Sequence, residues 1–279
     1  MVDVLTWFAS HARPLPWRAQ RDPWGILVSE IMGQQTPMSR VVPRWEAWMA
    51  AWPRPSALAA APDAAVLTAW DRLGYPRRAL NLKRAAVQLR DRHGDAVPAD
   101  RAALLDLPGV GPYTAASVLA FAFGQRIPVL DTNVRRVLAR YFGSEDPRSE
   151  EDRFEALVPD APYAAEAVME LGALVCLPAP HCEACPLRPG CAWHGTGPDP
   201  APQRRPQSYA GTDRQARGRI LAVLRADHGW VGQAQLLAAA RVSPDPAQAE
   251  RALASLVADG LISAGAGEVY RLGRDSVEG

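Results

Sequence analysis

The sequence is poor in lysine: Lys83 is the only one, and the rest of the positive charge is arginine. A Schiff-base mechanism needs a lysine or an amino terminus, so chemistry of that kind has few candidates here. Net charge is also missing. At +1 the chain as a whole offers nothing to a polyanion, and any nucleic-acid surface must be a local patch. No apolar run reaches the roughly 18 residues of a membrane span. The start, with Asp3 among polar residues, lacks the basic-then-apolar order of a signal peptide. The expected setting is a bacterial cytoplasm, beside the nucleoid, with no membrane partner.

Period-two strand patterns are absent from the first two thirds of the chain, which reads as all-α. Apolar spacing predicts helices over 4–11 and 24–35, then others at short intervals, with prolines 43, 53, 62, 76 and 98 read as breaks. The stretch from Ala65 to Asn81 reads as a helix, a glycine break and a second helix. A Pro/Gly-rich segment at 196–207 marks a linker. Beyond it, helices are expected at 213–227, 231–240 and 246–259, followed by a hairpin around 261–272. Three helices and a hairpin outline a winged-helix-like module at 208–279. Its arginines and acids balance, so DNA contact and a packing role are both open for it.

Cysteine is scarce and local. All four lie between Cys176 and Cys191, as C-x5-C-x2-C-x5-C through Cys182 and Cys185. Disulfides are disfavoured for such a loop in a cytoplasmic chain. Four thiolates suit tetrahedral zinc or a [4Fe–4S] cluster. A single C-x2-C, where zinc ribbons usually carry two, favours iron–sulfur.

Two further stretches carry chemistry. Leu107-Pro-Gly109-Val110-Gly111 is a tight turn before a helix at about 113–123, with two glycines free to take positive φ and unpaired N–H groups at the helix start for a phosphate. Glu30 lies on an otherwise apolar helix, where burial raises a carboxyl pKa, and Asp131 follows the second helix in Leu-Asp-Thr-Asn133-Val. A protonated acid and an ionised carboxylate are what glycosidic bond cleavage needs. The plainer alternative puts Glu30 on a solvated face, makes Asp131 a helix N-cap and leaves the Gly-x-Gly turn as a connector.

Together, Leu-Pro-Trp-Arg18, Ser-Glu30-Ile-Met-Gly33-Gln34-Gln35-Thr36, Leu-Gly-Tyr75, Leu-Pro-Gly-Val-Gly-Pro-Tyr113-Thr114-Ala, Leu-Asp-Thr-Asn-Val134 and the cysteine loop resemble the helix-hairpin-helix DNA glycosylases, most closely the MutY-type adenine DNA glycosylases. The likeness covers about residues 4–196. It implies a mainly α, two-domain helix-hairpin-helix glycosylase fold with an iron–sulfur loop. A six-helix barrel would occupy 24–130, and a cluster domain 1–23 with 131–195. The implied activity is excision of a flipped-out base, adenine opposite 8-oxoguanine or guanine, by a monomer acting on double-stranded DNA with a mispaired or damaged base.

The match implies a role for each residue. Glu30 protonates the leaving base, Asp131 stabilises the oxocarbenium ion, and Asn133 contacts DNA backbone near the cleft. Tyr113 stands where bifunctional relatives carry a Schiff-base lysine. Arg18, Gln34, Gln35, Thr36, Leu107, Gly109, Val110, Gly111 and Thr114 face DNA, with a monovalent cation at the hairpin. Trp24 and Gly33 line the base pocket, and the four cysteines hold a [4Fe–4S] cluster. The sequence departs from the family at Gly33, where leucine is usual, and in a first cysteine gap one residue short. The Nudix-like C-terminal domain is also missing. A same-fold glycosylase for uracil or thymine is the rival enzyme reading, and a non-catalytic DNA-binding protein the rival from another class.

Overall fold

The computed structural model of the protein describes residues 4–158, 161–194, 197–201 and 208–274. Most of the expected linker at 196–207 lies outside them. Among the described residues the chain is mainly helical, as expected. The helices are α1 (Val4–His11), α2 (Pro16–Gln20), α3 (Pro23–Gly33), α4 (Met38–Ala51), α5 (Pro55–Ala59), α6 (Asp63–Trp70), α7 (Arg77–Arg92), α8 (Arg101–Leu105), α9 (Pro112–Phe123), α10 (Thr132–Phe142), α11 (Glu150–Leu157) and α12 (Ala164–Leu174). The C-terminal module adds α13 (Asp213–Asp227), β1 (Val231–Gly232), α14 (Gln233–Ala240), α15 (Gln248–Ala258), β2 (Ile262–Gly265) and β3 (Val269–Leu272). Its strands form one antiparallel sheet in the order β1-β3-β2. No described helix is long and apolar enough to cross a membrane.

Local chemistry sets the helix ends. The Asp100 carboxylate accepts from the Ala103 N–H at 2.8 Å, and Asp131, Ser149 and Thr212 cap α10, α11 and α13 in the same way. Proline opens α2, α5 and α9, where no N–H is required. Two expectations are corrected. Pro43 is not a break but lies inside α4, whose buried Val41 and Trp48 hold the helix despite one missing hydrogen bond. The helix expected over 24–35 stops at Gly33, because Gln35 turns into the left-handed region at φ +55°.

The chain packs as two compact units, Met1–Glu30 with Val97–Arg204, and Ile31–Ala96 with Arg205–Gly279. The division falls inside α3. In the first unit, α1 and α10 pack on α12 around Val134, Leu138, Val168 and Leu171. A buried ion network joins its N-terminal segment to the same helix. Glu170 accepts from Arg13 at 2.8 and 2.9 Å and from Arg18 at 2.9 Å, while Glu166 pairs with Arg18 and Arg21.

In the second unit Trp48 packs edge-on against Trp70 over Leu67, Leu82 and Leu89. The C-terminal module is docked there rather than strung alongside. Gly273 lies so close to α6 that a Cβ would come 2.8 Å from the Ala64 nitrogen, and its φ of +79° suits only glycine. The Arg225 Nε donates to the Leu67 carbonyl at 3.2 Å.

Burial alone pushes the Glu170 carboxyl up, but the bonds from Arg13 and Arg18 outweigh it and hold the group at about 2. Its stabilisation is therefore present above the ordinary carboxylate range and is lost as pH falls towards 2. Glu170→Gln takes the carboxylate from Arg13 while Arg18 keeps Glu166, and is expected to cost about 2–4 kcal/mol, near the lower end for broken buried pairs because Arg13 is a third exposed. Urea unfolding at neutral pH, compared with unfolding near pH 3, checks both the size and its acid dependence.

Candidate active site

The first unit brings Glu30, Tyr113 and Asp131 to one place, from α3, α9 and the N-terminus of α10. Apolar α3 buries Ile26, Leu27 and Val28 completely, so Glu30 is carried into surroundings that solvate its charge poorly. Burial pushes its carboxyl up to about 7. A hydrogen bond with Ser117 opposes the rise, the negative charges of Asp131 and Glu166 add to it, and a bond with Tyr113 opposes it again. The Ser117 hydroxyl also has the Tyr113 carbonyl within reach at 3.0 Å, one helical turn back, so its single proton is shared between that carbonyl and Glu30. Ser117 carried no signal in the sequence beyond its place one turn after Tyr113. Burial and the neighbouring Glu30 push the Tyr113 phenol far up, so it stays protonated and can only donate to a carboxylate.

Asp131 stands where its capping reading puts it. It is the N-cap of α10, accepting from the N–H groups of Asn133 at 2.9 Å and Val134 at 2.7 Å. It is also a member of the carboxylate pair. Burial raises its pKa, while the bonds from Val134 and Asn133 and the charge of Arg136 pull it back. Glu30 lacks two backbone donors and Asp131 has them, so the shared field of the pair places the proton on Glu30.

Asn133 is turned inward to hold this arrangement. Its Nδ2 donates to Asp131 Oδ2 at 3.0 Å, and its Oδ1 accepts from Arg136 at 2.8 Å. Arg136 in turn donates to the carbonyls of Gly172 at 2.7 Å and Cys176 at 2.6 Å. Gly172 is required at this crossing, because a Cβ there would lie 2.8 Å from both the Cβ and the carbonyl oxygen of Asn133. Neither Arg136 nor Gly172 was singled out from the sequence. Their partners are 36 and 40 residues away in one case and on another helix in the other.

The remaining expected residues divide. Arg18 has its guanidinium engaged by Glu166, Glu170 and the Arg13 carbonyl, so it braces the interior. Thr36 is buried and its hydroxyl donates to the Leu73 carbonyl at 3.1 Å. Gln34 and Gln35 form the turn after α3. Leu107 and Val110 are buried beneath the hairpin, whose positive φ belongs to Gly109 alone, at +84°. Gly111 is a correction: its φ is −99°, it caps α9 in extended backbone, and a Cβ there meets nothing within 4 Å. Thr114 and Trp24 are buried in their helices. A Cβ on Gly33 would come 3.1 Å from Met38 Cε, so Met38 fills the room a side chain at Gly33 would use.

The four cysteines are free thiols, and all line one cavity with Val175, Pro180 and Trp193. Polar hydrogens point at their sulfurs: Arg140 to Cys176 Sγ at 3.5 Å and the His194 N–H to Cys191 Sγ at 3.3 Å. Arg140 itself is buried, bonded to Asp199, to the carbonyls of Leu177 and Pro178, and stacked on Trp193. Among the described residues no three carboxylate, imidazole or thiol groups are gathered as ligands of a single metal ion.

The site makes a prediction independent of turnover. The Glu30 side-chain carboxyl, followed by carbon NMR in selectively labelled protein, titrates near 7. Asp131→Asn lowers that midpoint by removing a like charge, and Ser117→Ala raises it by removing a donor.

The HhH-GPD superfamily base excision DNA repair model matches residues 28–159. The chain is 49% identical over 275 residues to an adenine DNA glycosylase of Mycobacterium tuberculosis, covering 94% of this chain and 89% of that one. To the adenine DNA glycosylase of Mycolicibacterium smegmatis it is 48% identical, covering 94% and 92%. Among solved structures, a thermostable thymine-DNA glycosylase superposes with a TM-score of 0.63 at 31% identity, covering 68% of this chain and 93% of that one. An endonuclease III in a non-covalent DNA complex superposes with a TM-score of 0.59 at 25% identity. With a paired-carboxylate site on helices α3, α9 and α10 and relatives matched along nearly its whole length, the chain belongs to the HhH-GPD superfamily of base excision DNA repair glycosylases, in the MutY-type branch.

Proposed function

We propose that the protein is a monomeric, monofunctional adenine DNA glycosylase that removes adenine mispaired with 8-oxoguanine or guanine from double-stranded DNA. The observation that carries this reading is the pairing of a carboxyl raised to about 7 at Glu30 with a hydrogen-bonded carboxylate at Asp131, beside a tyrosine and no lysine. Glu30 gives its proton to a ring nitrogen of the flipped adenine. The C1′–N9 bond then breaks with its electron pair leaving on the base. The Asp131 carboxylate faces the resulting oxocarbenium ion, and a water adds at C1′, releasing a proton that restores the Glu30 acid. Tyr113 has no amine to form an imine, so the product is an intact strand with an abasic site. The rival reading, a thymine glycosylase, is favoured by the 31% identical structural neighbour, but identity of 49% along the chain to adenine glycosylases outweighs it.

DNA is gripped at the hairpin. The Val110 N–H is bonded to the Leu107 carbonyl at 3.1 Å, which leaves the Gly109 and Gly111 N–H groups and the first turn of α9 for a phosphate, with a monovalent cation under the turn. The Gln34–Gln35 turn enters the gap left by the flipped nucleotide. The cysteine cavity fits a [4Fe–4S] cluster. Four thiols line it together with His194, they surround a shared space rather than one point, and N–H groups reach two of the sulfurs, as those that tune thiolate clusters do. When bound, the cluster ties the loop after α12 into one piece, and Arg140 carries that fixity to Asp199.

Excision tests the carboxylate roles. Glu30→Gln is expected to slow single-turnover release of adenine by about 10²–10⁴-fold or more while DNA binding persists. Asp131→Asn keeps the cap of α10 yet removes the anion, and the rate falls by about 10²–10³-fold, the usual loss of an oriented electrostatic contact. Wild-type rate in Asp131→Asn shows the residue to be a cap only. In every active form, strand scission appears only after hot alkali. The metal is tested separately: protein prepared without oxygen contains iron and acid-labile sulfide and loses both in Cys185→Ser, whereas stoichiometric zinc without iron contradicts the cluster.

A further inference from the structure

The cysteine loop is fastened to α10 through one buried cation, Arg140, which is 1% exposed. Its Nε and Nη2 donate to the two carboxylate oxygens of Asp199 at 3.0 and 2.6 Å, and Nη2 donates again to the Pro178 carbonyl at 3.1 Å. Its Nη1 donates to the Leu177 carbonyl at 2.5 Å and to Cys176 Sγ at 3.5 Å. Every N–H of the guanidinium is thereby used. The Arg140 carbonyl accepts from the Trp193 N–H at 3.1 Å and has Cys191 Sγ within 3.4 Å. One residue therefore touches both the first and the last cysteine of the loop. The short gap between Cys176 and Cys182 is folded back by the His181 N–H, which donates to the Val175 carbonyl at 2.9 Å, and Arg140 holds the two carbonyls that start it.

The ion pair with Asp199 is lopsided. The Arg140 side chain is 2% exposed and that of Asp199 21%. The positive end thus lies in protein beside a sulfur, while the negative end meets water, which screens it. The cysteines feel the arginine more than the aspartate. Asp199 is itself fixed, because its Oδ1 also accepts from the Ala201 N–H at 3.0 Å. The neighbouring cations are placed differently. Arg136, one turn earlier on α10, donates to the Cys176 carbonyl rather than to its sulfur. Arg188 lines the cavity but is half exposed and pairs with Glu183. The excision chemistry at Glu30 and Asp131 makes no use of the Arg140 charge.

We propose that Arg140, aimed by Asp199, is the charge that sets the oxidation equilibrium of the cluster and keeps it in the [4Fe–4S]2+ state. Net charge and hydrogen bonds to the sulfurs are among the levers on an iron–sulfur potential, and Arg140 supplies both. Oxidation removes one electron, turning [4Fe–4S]2+ into [4Fe–4S]3+. The electron passes to an outer-sphere acceptor such as ferricyanide, which becomes ferrocyanide, and no bond forms or breaks. The step adds positive charge beside a buried guanidinium, which opposes it. The N–H on Cys176 Sγ acts in the same direction, because it bonds best to the more electron-rich sulfur of the reduced cluster. An enzyme whose proposed substrate lies opposite an oxidised guanine works where oxidants are present, and the pair lets it keep its cluster there. The inference rests on the [4Fe–4S] reading, which iron and sulfide content tests separately.

The test is a redox titration of holoprotein prepared without oxygen, with ferricyanide as oxidant and the EPR signal of the [4Fe–4S]3+ cluster as readout. Arg140→Gln removes the cation, so the midpoint falls. At a fixed potential the ratio of oxidised to reduced cluster is expected to rise about tenfold, equal to about 59 mV for one electron. Arg140→Lys keeps the charge and stays closer to the wild type. Asp199→Asn leaves Arg140 in place without its counter-charge, and the midpoint rises. Iron released at a fixed dose of ferricyanide follows the same order, most from Arg140→Gln and least from Asp199→Asn. Opposite shifts are the signature, because a loosened or wetter loop moves both variants the same way. Midpoints that move together, or that stay at the wild-type value in both, overturn the proposal. Should Arg140→Gln fail to retain iron, Asp199→Asn at the part-exposed end decides alone: a raised midpoint supports the assignment, and an unchanged or lowered one overturns it. Wild-type protein holding zinc without iron or sulfide would instead remove the cluster reading itself.

Discussion

The charge of Glu30 is poorly solvated where it stands, and the first unit is organised around that constraint. An apolar helix carries the carboxyl inward, and α9 offers it two hydroxyl donors rather than a cation. A full positive charge beside Glu30 would hold it ionised and useless as an acid. The arginines of this unit are instead held by other carboxylates: Arg13 and Arg18 by Glu170, and Arg21 by Glu166. Charge is neutralised close by but outside hydrogen-bond reach of the acid, which leaves desolvation in command of its pKa.

Asp131 ties the start of α10 to the protonation of the carboxylate pair. The N–H groups that make it a helix cap also stabilise its ionised form, so the element that starts α10 sets the protonation state of the pair. From there a continuous set of bonds runs through Asn133 and Arg136 to the carbonyl of Cys176, the first cysteine of the loop. The cysteine loop and the carboxylate pair are therefore neighbours in mechanics, though separate in chemistry. Gly172 makes the run possible by letting α12 approach the backbone of Asn133.

Much of this was legible in the sequence, for identifiable reasons. Glu30 announced itself as a carboxylate in an apolar helical run, Asp131 as a capping residue before an arginine-rich helix, and the cysteines by proximity. The partners that tune them were not legible. Ser117, Arg136 and Gly172 are ordinary residues whose importance comes from what lies across a helix interface, and local periodicity does not encode that. Arg18 and Thr36 misled in the opposite sense, because a motif position suggested an outward role while burial and hydrogen bonding turn both inward. The hairpin glycines also differ from expectation: a Gly-x-Gly pattern suggested two left-handed residues, and the turn uses only Gly109 that way. Pro43 was misread because a proline early in a helix removes a single bond, which packing of Trp48 and Val41 offsets.

The central claim is that a neutral Glu30 and an ionised Asp131 coexist in the working enzyme. The most direct measurement is the single-turnover rate of adenine release from a duplex opposite 8-oxoguanine, taken as a function of pH with DNA saturating. The carboxyl raised to about 7 predicts a rate that falls tenfold per pH unit above that value, with the midpoint moving upward in Ser117→Ala. A wild-type rate that stays level to about pH 9, with base release still the step observed, would show that no such acid delivers the proton.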